Sequence, residues 1–138
     1  MNVNEQEIQQ ILQQYKTITV IGVSPDSNKP SQRVPLYMKS HGYEVVGVNP
    51  THDSAIIAGM PIYKSLADVP AAQRQFVDVF RRSDAIPAVV DEVLKVGGVK
   101  VLWLQLGITH AEAEKKAEAA GLKVISDRCL YIEHKKYF

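Results

Sequence analysis

Four basic side chains follow two apolar runs of the chain and could bind a phosphate-bearing anion. They are Lys29, Arg33, Arg81 and Arg82. Arginine forms planar, two-bond pairs with phosphate, so the adjacent arginines suit a pyrophosphate or a phosphorylated ribose. The alternative is that one of these two arginines only caps the start of the next helix region or pairs with Asp84. The chain has 16 Lys and Arg against 15 Asp and Glu, a net charge of +1. This balance predicts a local anion site and disfavours a non-specific nucleic-acid or membrane-surface binder.

Backbone groups near the first of these runs could contribute to the same site. Gly22 allows a ligand to approach the main chain, Ser24 offers a hydroxyl and an amide, and Ser31 lies where a helix can begin with free amides. The loop between Ser24 and Ser31 is rich in Pro, Asp, Asn and Ser. Such a composition fits a well-made turn and a lid over a ligand equally well.

The spacing of glycines argues against ordinary NAD binding. A dinucleotide fingerprint reads G-x-G-x-x-G and places an acid at the end of the second strand, where it binds the ribose hydroxyls. Counting from Gly22, the later glycine positions hold Ser24 and Ser27, and the second strand ends in Asn49-Pro50. NADP remains possible, because a basic side chain could bind its additional phosphate.

The single cysteine, Cys129, permits no internal disulfide and no multi-thiolate zinc site. A lone cysteine is usually a small buried apolar residue, whereas the adjacent Arg128 could favour a reactive, redox-active thiolate. Glu133 and His134 follow but should face apart, which disfavours a Cys–His nucleophile. The four histidines show no metal-ligand spacing, so no metal is expected.

The surrounding pattern predicts an α/β fold, because β-branched runs alternate with amphipathic stretches. Strands are predicted at 17–23, 44–48, 76–80, 100–104 and 122–125, and helices at 3–15, 31–41, 83–96 and 109–120. Pro35 is expected in a first helical turn, and Ser83 and Thr109 as helix caps. Residues 51–61 are expected to form a loop, and 65–70 a short helical turn. The polar start of the chain and the lack of a long apolar run predict a cytosolic protein.

Short connections and right-handed crossovers favour a Rossmann-like, doubly wound domain over residues 1–138. Its predicted sheet has five mostly parallel strands in the order 3-2-1-4-5, with helices on both faces. Ligands of such sheets bind beyond the carboxyl ends of the strands. The four segments expected to converge there are Gly22-Val23-Ser24, Asn49-Pro50, Phe80-Arg81-Arg82 and Gln105-Leu106-Gly107.

Six segments, taken in order, resemble those of the small stand-alone CoA-binding proteins. The segments are Gly22 to Pro25, Lys29-Pro30-Ser31, the Gly-Tyr-x-Val-x-x-Val-Asn-Pro run from Gly42 to Pro50, Val77 to Arg82, Trp103 to Gly107, and Asp127-Arg128-Cys129 with Ile132-Glu133-His134. The resemblance covers nearly the whole chain. This family is similar to the CoA-binding domain of the α subunit of succinyl-CoA synthetase.

The resemblance implies that coenzyme A is the ligand. By position, it assigns phosphate contacts to Gly22, Val23, Ser24, Lys29, Ser31 and Arg33. It also implies that Asn49, Pro50, Phe80, Arg81 and Arg82 line the nucleotide groove and that Gln105 and Gly107 border the pantetheine. CoA needs cations and amides but no acid on its ribose, which agrees with the missing acid after the second strand.

Three functions remain open at this point. The first is a non-catalytic module that binds CoA or an acyl-CoA, which the short chain favours because 138 residues hold no counterpart of the synthetase's phosphohistidine domain or of its partner subunit. The second is a small CoA- or NADP-dependent enzyme, or a protein that exchanges thiols through Cys129. The third is a protein-interaction domain with a vestigial groove. No nucleic-acid or membrane partner is expected.

Overall fold

One mixed sheet connects all the strands of the computed structural model, which describes residues 3–52 and 55–138. The strands are β1 (Thr17–Ile21), β2 (Glu44–Val48), β3 (Ile56–Ile57), β4 (Met60–Tyr63), β5 (Phe76–Val79), β6 (Val101–Leu104) and β7 (Lys123–Ile125). Their order is β3-β4-β2-β1-β5-β6-β7. Neighbouring strands are parallel except for the antiparallel pair β3 and β4. The predicted α/β fold with a mostly parallel sheet is therefore confirmed.

The predicted number and order of strands are wrong. The order 3-2-1-4-5 placed the 76–80 strand at the edge beside β2, but in the structure it is β5 and pairs with β1, where Val77 lies opposite Thr19. The position beside β2 belongs to β4, which pairs with it through Ile62 and Tyr63. The described part of the sheet thus has seven strands, and the two additional strands lie at one edge.

The two missed strands form a hairpin inside the region expected to be a loop. Ala58 and Gly59 both have positive φ, 51° and 82°, as the two central residues of a tight hairpin turn require. Pro61 lies in β4 and cannot donate to the ladder, so a proline in so short a run argues against a strand. Asp53 and Ser54, which belong to the same predicted loop, lie outside the described residues.

Five α-helices cover the two faces of the described sheet. They are α1 (Glu5–Gln14), α2 (Pro30–Ser40), α3 (Ile86–Val96), α4 (Ala111–Ala119) and α5 (Leu130–Tyr137). Short 3-10 turns lie at Leu66–Asp68, Ala71–Gln73 and Ser83–Ala85. Helices α1, α2 and α5 pack around Trp103 and Phe76, whereas α3 and α4 pack around Val77 and Leu102 on the other face. None of the helices in the described ranges is long and apolar enough to cross a membrane.

Neither expected residue caps its helix: α3 begins after Ala85 without a side-chain cap, and another residue caps α4. Ser83 begins a 3-10 turn, and its hydroxyl oxygen accepts a hydrogen bond from the Thr109 amide at 3.1 Å. His110 caps α4 instead of Thr109, because its Nδ1 accepts from the Ala113 amide at 3.2 Å. Glu114 returns the bond by accepting from the His110 amide at 2.8 Å. This reciprocal arrangement resembles a capping box, with histidine in the place of serine or threonine and the acid one residue later than usual.

Pro35 lies inside α2 and not in its first turn. An interior proline has no amide hydrogen for the carbonyl four residues earlier, which here is that of Ser31. The Ser31 carbonyl instead accepts a hydrogen bond from the Ser24 amide at 3.3 Å. The break in the helical ladder therefore fastens the loop after β1 to the start of α2.

Helix α5 was not predicted, because two of its three buried residues are polar. Leu130, Glu133 and His134 face inward. The Tyr37 hydroxyl of α2 lies 2.8 Å from the His134 Nδ1, and Lys136 forms an ion pair with Glu5 of α1 at 2.6 Å. Polar contacts thus hold α5 against both neighbouring helices, a pattern that apolar periodicity cannot reveal.

The buried His134 should make stability depend on pH. Burial lowers the pKa of His134 below its ordinary value of 6.5, and the nearby His41 and Lys16 lower it further. The rings of Tyr37, Tyr43 and Phe138 enclose the remainder of the imidazole. Since the unfolded chain takes up the proton more readily, the free energy of unfolding should fall as the pH decreases below about 7.

Urea denaturation at pH 7.5 and pH 5.5 measures this effect. The His134→Gln variant should lose less stability than the wild type over this interval. His52→Gln, which alters a histidine outside the group of rings around His134, should behave like the wild type. An undiminished loss in His134→Gln would contradict the assignment.

Asp78 should impose the opposite pH dependence. It lies in β5 with no exposed surface, and neither carboxyl oxygen has a hydrogen-bond partner among the described residues. Burial raises the pKa of Asp78 well above its ordinary value of 3.8. The folded protein therefore retains a proton that the unfolded chain releases, and stability should decrease as the pH rises above about 4.

An Asp78→Asn variant should lack this decrease. Its free energy of unfolding should rise relative to that of the wild type between pH 5 and pH 8, as measured by urea denaturation. Asp68→Asn, at an exposed acid, supplies the control. Parallel pH profiles for wild type and Asp78→Asn would show that Asp78 does not carry the proton.

Candidate functional site

Gly22 is required by the fold before any ligand is considered. It follows β1 with a φ of +92°, and a Cβ atom at this position would lie 2.3 Å from the Phe80 carbonyl oxygen. The Gly22 amide donates to the Val48 carbonyl at 3.0 Å, and the Phe80 amide donates to the Ile21 carbonyl at 2.8 Å. We expected Gly22 to allow a ligand to approach the main chain. In the structure, Gly22 allows the backbone that follows β5 to approach it.

Several other predicted contact residues stabilise the loops. The Val23 side chain is buried in the core, and its carbonyl accepts a hydrogen bond from the Asn49 Nδ2 at 2.9 Å. The Asn49 Oδ1 accepts from the Thr51 amide at 3.0 Å. The Ser24 hydroxyl oxygen accepts from the Asp26 amide at 3.0 Å, so the loop after β1 is held as a turn by its own side chains. The structure thus gives Val23, Ser24 and Asn49 internal bonding partners.

A cleft of about 550 Å³, here named the central cleft, opens at the carboxyl ends of β5 and β6. Its lining residues are Lys29, Pro30, Ser31, Phe80, Arg81, Arg82, Gln105, Leu106, Ile108 and Cys129. Parallel strands end at a common edge, and this geometry brings together residues that are distant in sequence. Six of the thirteen predicted binding residues and the predicted thiol line this one cleft.

A second cleft of about 530 Å³, the edge cleft, lies between the ends of β1 and β2 and the start of α3. It is lined by Ile21, Val48, Pro50, Lys64, Ser65, Arg81, Ala85, Ala88, Val89 and Glu92. Arg81 lines both clefts and therefore connects them. Pro50 was predicted here, but Lys64 and Ser65 were missed because they follow β4, a strand that was expected to be part of a loop.

A third cleft of about 340 Å³, the helix cleft, lies between α2 and α5. It is lined by Pro30, Arg33, Val34, Tyr37 and Tyr131. Arg33 therefore lines a different cleft from the other three predicted cations, although it lies one helical turn after Lys29, whose carbonyl accepts a hydrogen bond from the Arg33 amide at 3.0 Å. Pro30 belongs to both the helix cleft and the central cleft.

The two adjacent arginines differ in how far their charge is already neutralised. The Arg82 Nε lies 3.4 Å from the Asp84 carboxylate, and the Arg82 side chain is 89% exposed. No acid of the described residues forms an ion pair with Arg81 or Lys29. Helix α2 also begins without an acidic residue in its first turn. Pro30 has no amide hydrogen, and the Gln32 and Arg33 amides donate to the Lys29 carbonyl. Arg81, Lys29 and the Ser31 amide are thus the groups suited to bind an anion here.

Gln105 and Gly107 connect the end of β6 to α5. Gln105 is buried, and its Oε1 accepts a hydrogen bond from the Leu130 amide at 3.3 Å. The Gly107 amide donates to the Asp127 carboxylate at 2.7 Å. Gln105 nevertheless lines the central cleft, whereas Gly107 lines none of the three clefts. These bonds fix the start of α5 over the ends of the strands.

Cys129 immediately precedes α5 and is partly buried where it lines the central cleft. The adjacent Arg128 reaches Glu133, with 3.4 Å between the guanidinium and the carboxylate. His134 is bonded to Tyr37, so its ring is engaged on the α2 side of the helix. Among the described residues, no three His, Cys, Asp or Glu side chains are placed to hold a metal ion.

A family model, a relative and several solved structures match this chain. A family model described as a CoA binding domain matches residues 16–135. YneT, an uncharacterized protein of Bacillus subtilis, is 36% identical over 133 residues, which are 96% of each chain. The solved structure of a Thermus thermophilus protein, cell-free ID.343, gives a TM-score of 0.89 at 39% identity, over 98% of this chain and 99% of that one.

A larger protein shares the fold. The apo dinucleotide forming acetyl-coenzyme A synthetase 1 of Ca. Korarchaeum cryptofilum gives a TM-score of 0.66 at 23% identity, over 81% of this chain and 26% of that one. The family resemblance seen in the sequence is confirmed by the family match. Because that match runs through every described strand, from β1 to β7, the chain belongs to the family of CoA binding domains.

Proposed function

We propose that this chain binds coenzyme A or an acyl-CoA across the carboxyl ends of its strands, as a binding or regulatory module without catalysis of its own. The observation that carries the proposal is the position of Arg81. Its guanidinium has no ion-pair partner among the described residues, and it lies where the central cleft and the edge cleft meet. Arg81 would neutralise part of the charge of a pyrophosphate at that junction. The adenosine and the pantetheine of CoA would then extend into separate clefts.

The adenosine is assigned to the edge cleft. In doubly wound sheets the adenosine of a dinucleotide lies beside the end of the second strand, which here contributes Pro50. Apolar side chains such as Val48 and Val89 offer surface to a base, and Lys64 offers a cation to the 3′-phosphate. Lys64 and Ser65 are therefore added to the binding residues predicted from the sequence.

The pantetheine is assigned to the central cleft. Leu106 and Ile108 supply apolar surface along its length, and Leu106 is 63% exposed, so its side chain is accessible to a ligand. Lys29 and Ser31 lie at the start of α2, where the pyrophosphate would contact them. The lining residues of this cleft include no His, Asp or Glu that could serve as a general acid or base, which favours binding over catalysis.

Removing the Arg81 guanidinium should weaken CoA binding by about 1–3 kcal/mol, the range for a charge-assisted hydrogen bond. Isothermal titration calorimetry of Arg81→Ala and Arg82→Ala with CoA measures this. Arg82 already pairs with Asp84 and is mostly exposed, so its removal should cost less than about 1 kcal/mol. Equal losses in the two variants would contradict the role given to Arg81.

Titration of the wild type with CoA tests the proposal itself. Binding of CoA in preference to NADP supports it. The absence of heat and of any thermal shift at millimolar CoA would overturn it and would favour a protein-interaction domain with a vestigial groove. The cytosolic location and the absence of nucleic-acid and membrane partners stay predictions.

Thiol exchange is a second candidate function, favoured by the position of Cys129 in the wall of the central cleft. The Cys129 thiolate would attack one sulfur of a CoA disulfide, form a mixed disulfide with that half and release the other half as CoA thiolate. Intact-mass analysis after exposure to CoA disulfide should show one CoA adduct on the wild type and none on Cys129→Ser. An unmodified wild type would remove this candidate.

A further inference from the structure

The helix cleft continues the central cleft along the N-terminal ends of α2 and α5. Pro30 of α2 lines both, and on α5 the central cleft is lined by Cys129 and the helix cleft by Tyr131, two residues later. The three clefts therefore follow one another. Arg81 connects the edge cleft to the central cleft, and Pro30 connects the central cleft to the helix cleft.

The helix cleft combines aromatic walls with unpaired positive charge. Tyr37 and Tyr131 meet edge to face with ring centroids 4.5 Å apart, and the Tyr37 hydroxyl is engaged by His134. Arg33 is the one charged residue among its lining residues, and no acid of the described residues forms an ion pair with it.

A second cation lies beside the same wall. The Lys135 ammonium is 5.6 Å from the centroid of the Tyr131 ring and 3.5 Å from its hydroxyl. No acidic side chain of residues 3–52 and 55–138 lines this cleft. A ligand group that suits it has an apolar stem to pack against the tyrosines and a negative end to pair with Arg33.

We propose that the helix cleft receives the acyl group of a bound acyl-CoA and that Arg33 selects acyl groups ending in a carboxylate. The inference rests on the proposed function, because the direction of the ligand follows from adenosine in the edge cleft and pantetheine in the central cleft. With the pyrophosphate at the start of α2 and the pantetheine along Leu106 and Ile108, the thioester end then lies beside Cys129, two residues before Tyr131 of the helix cleft. A volume of about 340 Å³ is at the small end of ligand sites and suits a short acyl group.

This assignment changes the role predicted for Arg33. The resemblance implied a phosphate contact, whereas in the structure Arg33 lines the helix cleft with Tyr37 and Tyr131, and Lys29 and Arg81 line the central cleft. An arginine that binds the acyl end contributes nothing to the affinity for free CoA. An arginine that binds phosphate contributes equally to every CoA derivative.

Two stable thioether analogues of the same length test the inference. S-(3-carboxypropyl)-CoA carries a terminal carboxylate, and the corresponding carboxamide differs only in charge. Calorimetric titration of the wild type should show the acid binding about 5–10-fold tighter than the amide, as expected for a charge-assisted bond that is partly exposed to solvent. In Arg33→Gln the two affinities should become equal, while the affinity for free CoA stays unchanged. Lys39→Gln, an exposed cation on the same helix, should retain the wild-type preference.

The outcomes separate this inference from the proposed function. If wild-type protein binds free CoA but binds acid and amide equally, or if Arg33→Gln keeps the preference, the acyl assignment is overturned and CoA binding stands. If Arg33→Gln weakens free CoA and both analogues alike, Arg33 contacts phosphate and the acyl assignment is also overturned. If none of the three ligands binds to the wild type, both proposals fail.

Discussion

The contact between Gly22 and the Phe80 backbone is the constraint on which the arrangement of the site depends. With 2.3 Å between a Cβ at position 22 and the Phe80 carbonyl oxygen, only glycine lets the chain after β1 pass so close to the chain after β5. This closeness places the start of α2 beside Arg81. The central cleft then forms between two segments that leave adjacent strands in different directions, α2 toward one face of the sheet and α3 toward the other.

Much of the sheet could be predicted because its inner strands are continuous β-branched runs buried on both faces. The exceptions have physical causes. Strand β4 is short and contains Pro61, so it was not predicted. The predicted order therefore placed the 76–80 strand, which is β5, beside β2. Helix α5 could not be predicted from apolar periodicity because Glu133 and His134 face the protein interior. There Glu133 pairs with Arg128, and His134 is hydrogen-bonded to Tyr37.

Residues of the candidate site could be predicted where they follow from the rule of strand ends, and they could not be predicted where they depend on β4 or α5. Phe80, Arg81 and Gln105 follow strands that the sequence makes clear, and they line the central cleft. Lys64 follows the strand that was missed. Arg33 was grouped with Lys29 because they are close in sequence, but Arg33 lines a cleft whose other wall is α5. Several polar residues expected at a ligand, such as Asn49, are engaged in bonds within the protein.

Because Pro35 has no amide hydrogen, the first turn of α2 is hydrogen-bonded to the loop after β1. The Ser31 carbonyl has no amide to accept from at position 35 and accepts from the Ser24 amide. In return, the Gln32 side-chain Nε2 donates to the Ser24 carbonyl at 3.0 Å. Two hydrogen bonds therefore join the loop to the helix start. A ligand of the proposed site that restrained either segment would restrain both, so residues that do not touch the ligand would also affect how slowly it dissociates.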